Sequence, residues 1–183
     1  MDKVVLAIVG LPGAGKTEAT QYLMKKMSWP KIYFGQAVLD EVESRKLPLN
    51  EHNEKLVREE FRAKFGPSAM AHANMPKIKE AFESSSVLLE SLYSWEEYLE
   101  VMENFGPSFK VLAVYSSPQT RIERMKKRPF RPLTPEELKS RDYSQIENLH
   151  QAGPIARADW TIVNEGSLEG FYSALDAVLN RLS

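Results

Sequence analysis

Gly10, Leu11, Pro12, Gly13, Ala14, Gly15, Lys16 and Thr17 satisfy the pattern G-x-x-x-x-G-K-[ST], a spacing that binds phosphate. The glycines let backbone N–H groups turn inward around phosphate oxygens. The lysine reaches the β- and γ-phosphates, and the threonine hydroxyl holds Mg²⁺. The alternative is a glycine-rich strand-to-helix turn with no ligand. That alternative leaves Lys16 without a role, whereas a triphosphate gives its charge a partner.

Phosphoryl transfer needs cations from several directions, because negative charge spreads over the migrating group. Glu90 stands near the C-terminal end of the strand at 87–92 and is the candidate acid for positioning the metal's water shell, although a strand-end glutamate can also simply face solvent. Arg121, Arg124 and Arg128 fall at i, i+3 and i+7, a spacing that shares one helix face. Arg131 follows, and Arg141 lies on the next helical pattern. Such a face can be merely solvated. Because this one leads into a short proline-bounded segment, residues 128–141 read as a lid whose arginines close over a triphosphate and expel water. Arg58 and Arg62, at i and i+4, could present two forks to an acceptor phosphate, or could equally pair with Glu54, Glu59 and Glu60.

The elements that position these residues alternate strand with helix, the signature of a parallel sheet. Strand one is Lys3 to Val9, and a helix beginning inside the motif runs to about Met27. A second strand, Ile32 to Phe34, is closed by Gly35. Residues 36–82 then read as helices, Ala37 to Arg45, Glu51 to Phe65 and Ala69 to Phe82, punctuated by Pro48, Gly66-Pro67 and Pro76. This is too long for a simple crossover and is expected to cover a second substrate. The run at 76–79 reads as a helix cap, with Trp95 and Tyr98 as core.

A strand at Val87 to Leu92 precedes the capping box Ser94-Trp95-Glu96-Glu97, which starts a helix to about Asn104. Phe109 to Tyr115 is a buried strand. Ser117-Pro118 caps the basic helix, and Thr134-Pro135-Glu136-Glu137 caps the next, which ends before Gly153-Pro154. Trp160 to Val163 is the last strand, and a loop from Asn164 leads to the final amphipathic helix. The expected fold is a three-layer α/β domain on a five-stranded parallel sheet, one domain over 1–183, with ligands beyond the carboxyl ends of the strands.

Composition narrows the class. The 24 basic residues nearly balance 25 acidic ones, so no global field argues for nucleic acid or a membrane surface. Without cysteine there is no thiol nucleophile or cysteine-ligated zinc. His52, His72 and His150 are scattered and read as surface or cap residues. No apolar run approaches the length of a membrane span, and the expectation is a soluble, cytoplasmic protein, monomer or homodimer.

Three segments, 10–18, 117–124 and 158–168, give the chain its resemblance to the adenylate-kinase and dephospho-CoA-kinase group of small P-loop kinases, and more closely to dephospho-CoA-kinase-like, adenylate-kinase-related proteins. The resemblance implies ATP with Mg²⁺ and a phosphate- or hydroxyl-bearing, nucleotide-like acceptor. It implies that Arg124 lies over the adenine, that Arg128 and Arg141 reach the phosphates beside Lys16, and that Asn164 to Gly166 border the base. The chain departs from that pattern on the acceptor side. Gly35-Gln36 with Leu39 stands where the group often has Gly-Asp and an arginine. Glu90-Ser91-Leu92-Tyr93 stands where it tends to have Asp-Gly-x-Arg. Gln36 and Tyr93 are therefore candidate acceptor residues. The expected activity is an ATP-dependent phosphotransferase; the alternative is an ATP-binding regulator that has lost its acceptor site.

Overall fold

The strand that carries the motif, β1 (Val5–Val9), is buried along its whole length. It lies at the centre of an all-parallel sheet ordered β2 (Lys31–Tyr33), β3 (Val87–Glu90), β1, β4 (Phe109–Tyr115), β5 (Trp160–Val163). A computed structural model of the protein describes residues 2–129 and 132–182, apart from the side chain of Glu51. Arg131, expected to follow the basic helix, lies outside the described residues.

Alternation along the strands feeds two cores. Val5, Ala7 and Val9 pack with Leu89, Val111 and Ala113 on one face, while Leu6 and Ile8 pack with Leu88, Leu112 and Val114 on the other. The second face is covered by α1 (Lys16–Met27) and α9 (Leu168–Leu179) through Ala19, Leu23, Phe171 and Leu175. These helices are clamped where Tyr22 stacks on Tyr172 at 4.2 Å and donates to Asp176 at 2.7 Å. The first face carries α2 (Gln36–Ser44), α3 (Glu51–Phe65), α4 (Ala69–Ser84) and α5 (Trp95–Phe105) through Val38, Val57, Ile78, Tyr98 and Val101. Then come α6 (Pro118–Lys126), α7 (Pro135–Glu147) and α8 (Ala152–Ala156). The three-layer α/β fold on a five-stranded parallel sheet is the expected one.

Local signals set the helix starts. Ser94 Oγ accepts from Glu97 N at 3.0 Å while Glu97 accepts from Ser94 N at 3.1 Å, and Thr134 and Glu137 repeat this reciprocal cap. Two local expectations need correction. Pro76 is not a cap but lies inside α4, which continues through it. Its missing N–H withdraws one hydrogen bond, while buried Asn74 holds the helix by donating to Met70 O at 2.8 Å and to Phe34 O at 3.0 Å. Helix α7 ends before Gly153 and Pro154, as expected, and those two residues sit within the short α8. Helix α6 ends at Lys126, so Arg128 lies beyond the helix rather than on its face with Arg121 and Arg124. Among the described residues, no helix is long and apolar enough to cross a membrane.

Candidate active site

The carboxyl ends of β3, β1 and β4 lie side by side, and the phosphate loop leaves from the middle one. Two of its glycines are sterically required. At Gly10, with φ 144°, a Cβ would stand 2.3 Å from the Val114 carbonyl oxygen; at Gly15, with φ 112°, it would stand 2.4 Å from Asn164 Nδ2. The loop carbonyls are held from outside. Gln151 Nε2 donates to Gly10 O at 3.2 Å, Arg121 Nη1 to Pro12 O at 3.1 Å, Arg124 Nη1 to Gly13 O at 3.5 Å and Asn164 Nδ2 to Ala14 O at 2.9 Å. In a trans peptide the N–H points opposite to the C=O. The N–H groups of Leu11, Gly13 and Gly15 therefore turn away from these partners, as a loop that donates to an anion requires. Ala14 N closes the turn on Leu11 O at 3.2 Å.

Lys16, on the first turn of α1, curls its ammonium back across the loop to donate to Leu11 O at 3.2 Å. Desolvation lowers its pKa to about 8, opposed by the negative charge of Glu90; Arg121 and Arg128 lower it further and Asp142 raises it. Glu90 and Arg128 thus both act on this lysine. Glu90 also pairs with Lys31 at 2.7 Å on the neighbouring strand, so it is no free solvent-facing acid. Thr17 is exposed beside Lys16. One hydroxyl and one carboxylate fit Mg²⁺, which keeps several waters and takes its remaining ligands from substrate phosphates.

Beside β3 is a cavity of about 320 Å³ whose wall includes Tyr33, Leu39, Arg58, Arg62, Tyr93 and Arg141. The structure therefore brings Arg58, Arg62 and Tyr93 together, and adds Arg141 to the same wall. Gln36 is not part of it: exposed at the start of α2, it donates to Asp40 at 2.8 Å, and Asp40 pairs with Lys77 at 2.6 Å. Arg58 lies 4.0 Å from Glu54, so pairing on its own helix accompanies its place at the cavity. Tyr93 accepts from Ser91 Oγ at 3.0 Å, and burial raises the pKa of its phenol.

The basic helix faces the phosphate loop rather than solvent, and Arg121 is not a mobile lid cation. It is 3% exposed and forms a two-pronged bond with Asp142 of α7 at 2.7 and 2.9 Å. Arg124 is half-buried, donating to Ser116 Oγ at 2.9 Å and to Asn164 O at 3.0 Å. Asn164 is buried against the loop, whereas Gly166 is exposed, with open space where a Cβ would stand.

Several site residues escaped the sequence reading. Fully buried Gln151 supports Gly10, and Ser116 Oγ bridges Ala14 O at 3.2 Å and Asn164 O at 2.7 Å. Glu165 binds Thr120 Oγ1 and Ser117 N, and the Thr120 hydrogen bond lowers its pKa. Glu97, recognised only as a cap, also lines the cavity; desolvation raises its pKa to about 7 against the hydrogen bonds from Tyr93 N and Ser94 N. Only the serine-proline step before α6 and the capping box were visible as local signals.

Comparison with known proteins agrees with this geometry. Residues 6–146 match the AAA domain family. A UPF0200 protein of Pyrococcus abyssi is 32% identical over 98% of this chain and 97% of its own, and one of Methanoculleus marisnigri is 33% identical over 97% and 96%. The chain belongs to the UPF0200 family of AAA-domain P-loop proteins. Solved structures share the UPF0200 fold at low identity. A Thermus thermophilus protein superposes with a TM-score of 0.69 at 20% identity over 100% of both chains. Shikimate kinase of Bacteroides thetaiotaomicron gives 0.61 at 16% over 98% of both, and gluconokinase of Sinorhizobium meliloti gives 0.61 at 15% over 98% and 93%. They establish the kinase-like P-loop fold.

Proposed function

We propose that this UPF0200 protein is an ATP-dependent kinase that transfers the γ-phosphoryl group to a small, nucleotide-like acceptor. The observation that carries the reading is at the end of β3, where Glu90 lies in register with Ile8, two residues before the phosphate loop, and the next residue, Ser91, lines the acceptor-side cavity. Donor loop and cavity therefore flank one strand end, as an in-line transfer requires. Two structures of this fold are named as small-molecule kinases, which supports the same reading.

In this mechanism the loop N–H groups and Lys16 hold the donor phosphates, and Arg128 adds positive charge as the bond to the leaving oxygen weakens. Arg124 and Asn164 border the base. Thr17 and Glu90 would hold Mg²⁺, which would supply charge neutralisation at the donor phosphates. Arg58, Arg62 and Arg141 hold an anionic group of the acceptor, with Tyr93 completing the wall. The acceptor oxygen forms a bond to the γ-phosphorus as the bond to the β-bridging oxygen breaks, and the hydroxyl proton passes to solvent. Catalysis here is chiefly positioning and charge stabilisation.

The test is ADP formation with ATP and Mg²⁺ across nucleoside monophosphates, nucleosides, dephospho-CoA and small hydroxy acids. The kinase reading expects one class to raise ADP formation well above the acceptor-free rate. Tight ATP binding with no acceptor-dependent turnover anywhere in the panel points instead to a nucleotide-binding regulator, the reading that the displaced Gln36 favours.

A further inference from the structure

We propose that Arg121 and Asp142 are positioning residues that couple the phosphate loop to α7, and through it to the acceptor-side cavity. This rests on the nucleotide-binding half of the proposed function. Arg121 joins three parts of the molecule. Its Nε donates to Ser116 O at 3.1 Å after β4, its Nη1 to Pro12 O at 3.1 Å in the loop, and both Nη atoms to Asp142 in α7.

Pro12 is the key point of contact. Its carbonyl and the Gly13 N–H belong to one peptide group. A phosphate that accepts from Gly13 N–H polarises that group and makes Pro12 O a stronger acceptor for Arg121, since linked hydrogen bonds reinforce one another. Arg121 holds Asp142 with its other edge, so the effect passes to α7. Arg141 and Gln145, beside Asp142 on that helix, line the acceptor cavity.

Helix α7 is built to respond. Lys139, Ser140, Arg141, Tyr143 and Ser144 are exposed, and Leu138 is the buried side chain of the helix. Between α6 and α7 runs an apolar groove of about 680 Å³ lined by Leu11, Ile122, Leu138, Tyr143 and Ile146. Packing this open leaves the Arg121–Asp142 fork to fix where the helix sits. In some proteins a buried ion pair contributes less to stability than to specifying one arrangement, which is the property a positioning pair needs.

The experiment is amide hydrogen exchange over residues 135–147, with and without AMPPNP and Mg²⁺, in the wild type, Asp142→Asn and Asp142→Glu. In the wild type, nucleotide slows exchange of α7 by about threefold or more. In Asp142→Asn, AMPPNP still binds with a Kd within about threefold of the wild type, but the nucleotide-dependent slowing is lost. A purely structural pair raises exchange equally with and without nucleotide, so an undiminished difference in Asp142→Asn overturns the proposal, as does a wild-type α7 indifferent to nucleotide. If α7 in Asp142→Asn exchanges freely in both states, the charge-retaining Asp142→Glu decides: partial or full nucleotide-dependent slowing supports coupling, and none refutes it. Coupling with no phosphoryl transfer sinks the kinase reading alone, whereas transfer with an uncoupled α7 sinks this one alone.

Discussion

At the scale of the residue, the account turns on the protonation of Lys16. With a pKa of about 8, set first by desolvation, roughly half of the Lys16 side chains are neutral near that pH. A polyphosphate seated in the loop favours the ammonium, raising the pKa well above that of the free protein. Nucleotide binding at about pH 8 should therefore take up about half a proton, falling towards zero near pH 6. Calorimetric titration in buffers of different ionisation enthalpy measures this directly. Equal apparent enthalpies in all buffers at pH 8 would contradict a lysine that meets the phosphates, and Lys16→Met should abolish the uptake while leaving the fold intact.

The element scale centres on α5 and the wall it presents to the cavity. Glu97 caps that helix from a buried position, and its pKa of about 7 lies above the unburied 4.5. The folded state thus binds this proton more tightly than the unfolded state. The corresponding stability is fully present below about pH 4.5 and is lost as pH rises through about 7. Glu97→Gln keeps an oxygen to accept from Tyr93 N and Ser94 N but cannot ionise. Relative to the wild type it should gain on the order of 3 kcal/mol in unfolding free energy between about pH 4 and about pH 8. Denaturant melts of both proteins at the two pH values test this; parallel curves would show that Glu97 does not ionise in the fold.

How far such elements could be read from the sequence depended on how local their signals are. The strand–loop–helix unit at 5–27, the capping box at Ser94 and the serine-proline start of α6 are fixed by neighbouring residues, and all stand where the sequence put them. Helical spacing groups Arg121 with the lid arginines, and its true partners, Asp142 and Pro12, lie 21 and 109 residues away with no local signal. Gln151 meets Gly10 across 141 residues with no spacing to announce it. Pro76 misled for the reverse reason: its local meaning is a break, yet α4 runs through it, tied to the chain after β2 by Asn74 donating to Phe34 O.

For the molecule as a whole, the sheet sets the phosphate loop and the cavity beside β3 at neighbouring strand ends. The phosphate loop, anchored through four carbonyls by side chains from α6, the residue before α8 and the loop after β5, is a preorganised anion site. The cavity beside β3, walled by helices of the 36–82 stretch and by α7, supplies cations from two directions. A rigid donor half with a separate cationic pocket fits transfer between two bound molecules better than simple hydrolysis. The most direct measurement is the fate of the γ-phosphoryl group, followed by mass spectrometry in reactions containing ATP, Mg²⁺ and an acceptor that raises ADP formation. The account predicts ADP and phosphorylated acceptor in equal amounts, both reduced by about two orders of magnitude or more in Lys16→Ala, because the lost cation acts on the transition state. ADP accompanied only by inorganic phosphate, with no phosphorylated acceptor, or product yields unchanged in Lys16→Ala, would contradict it.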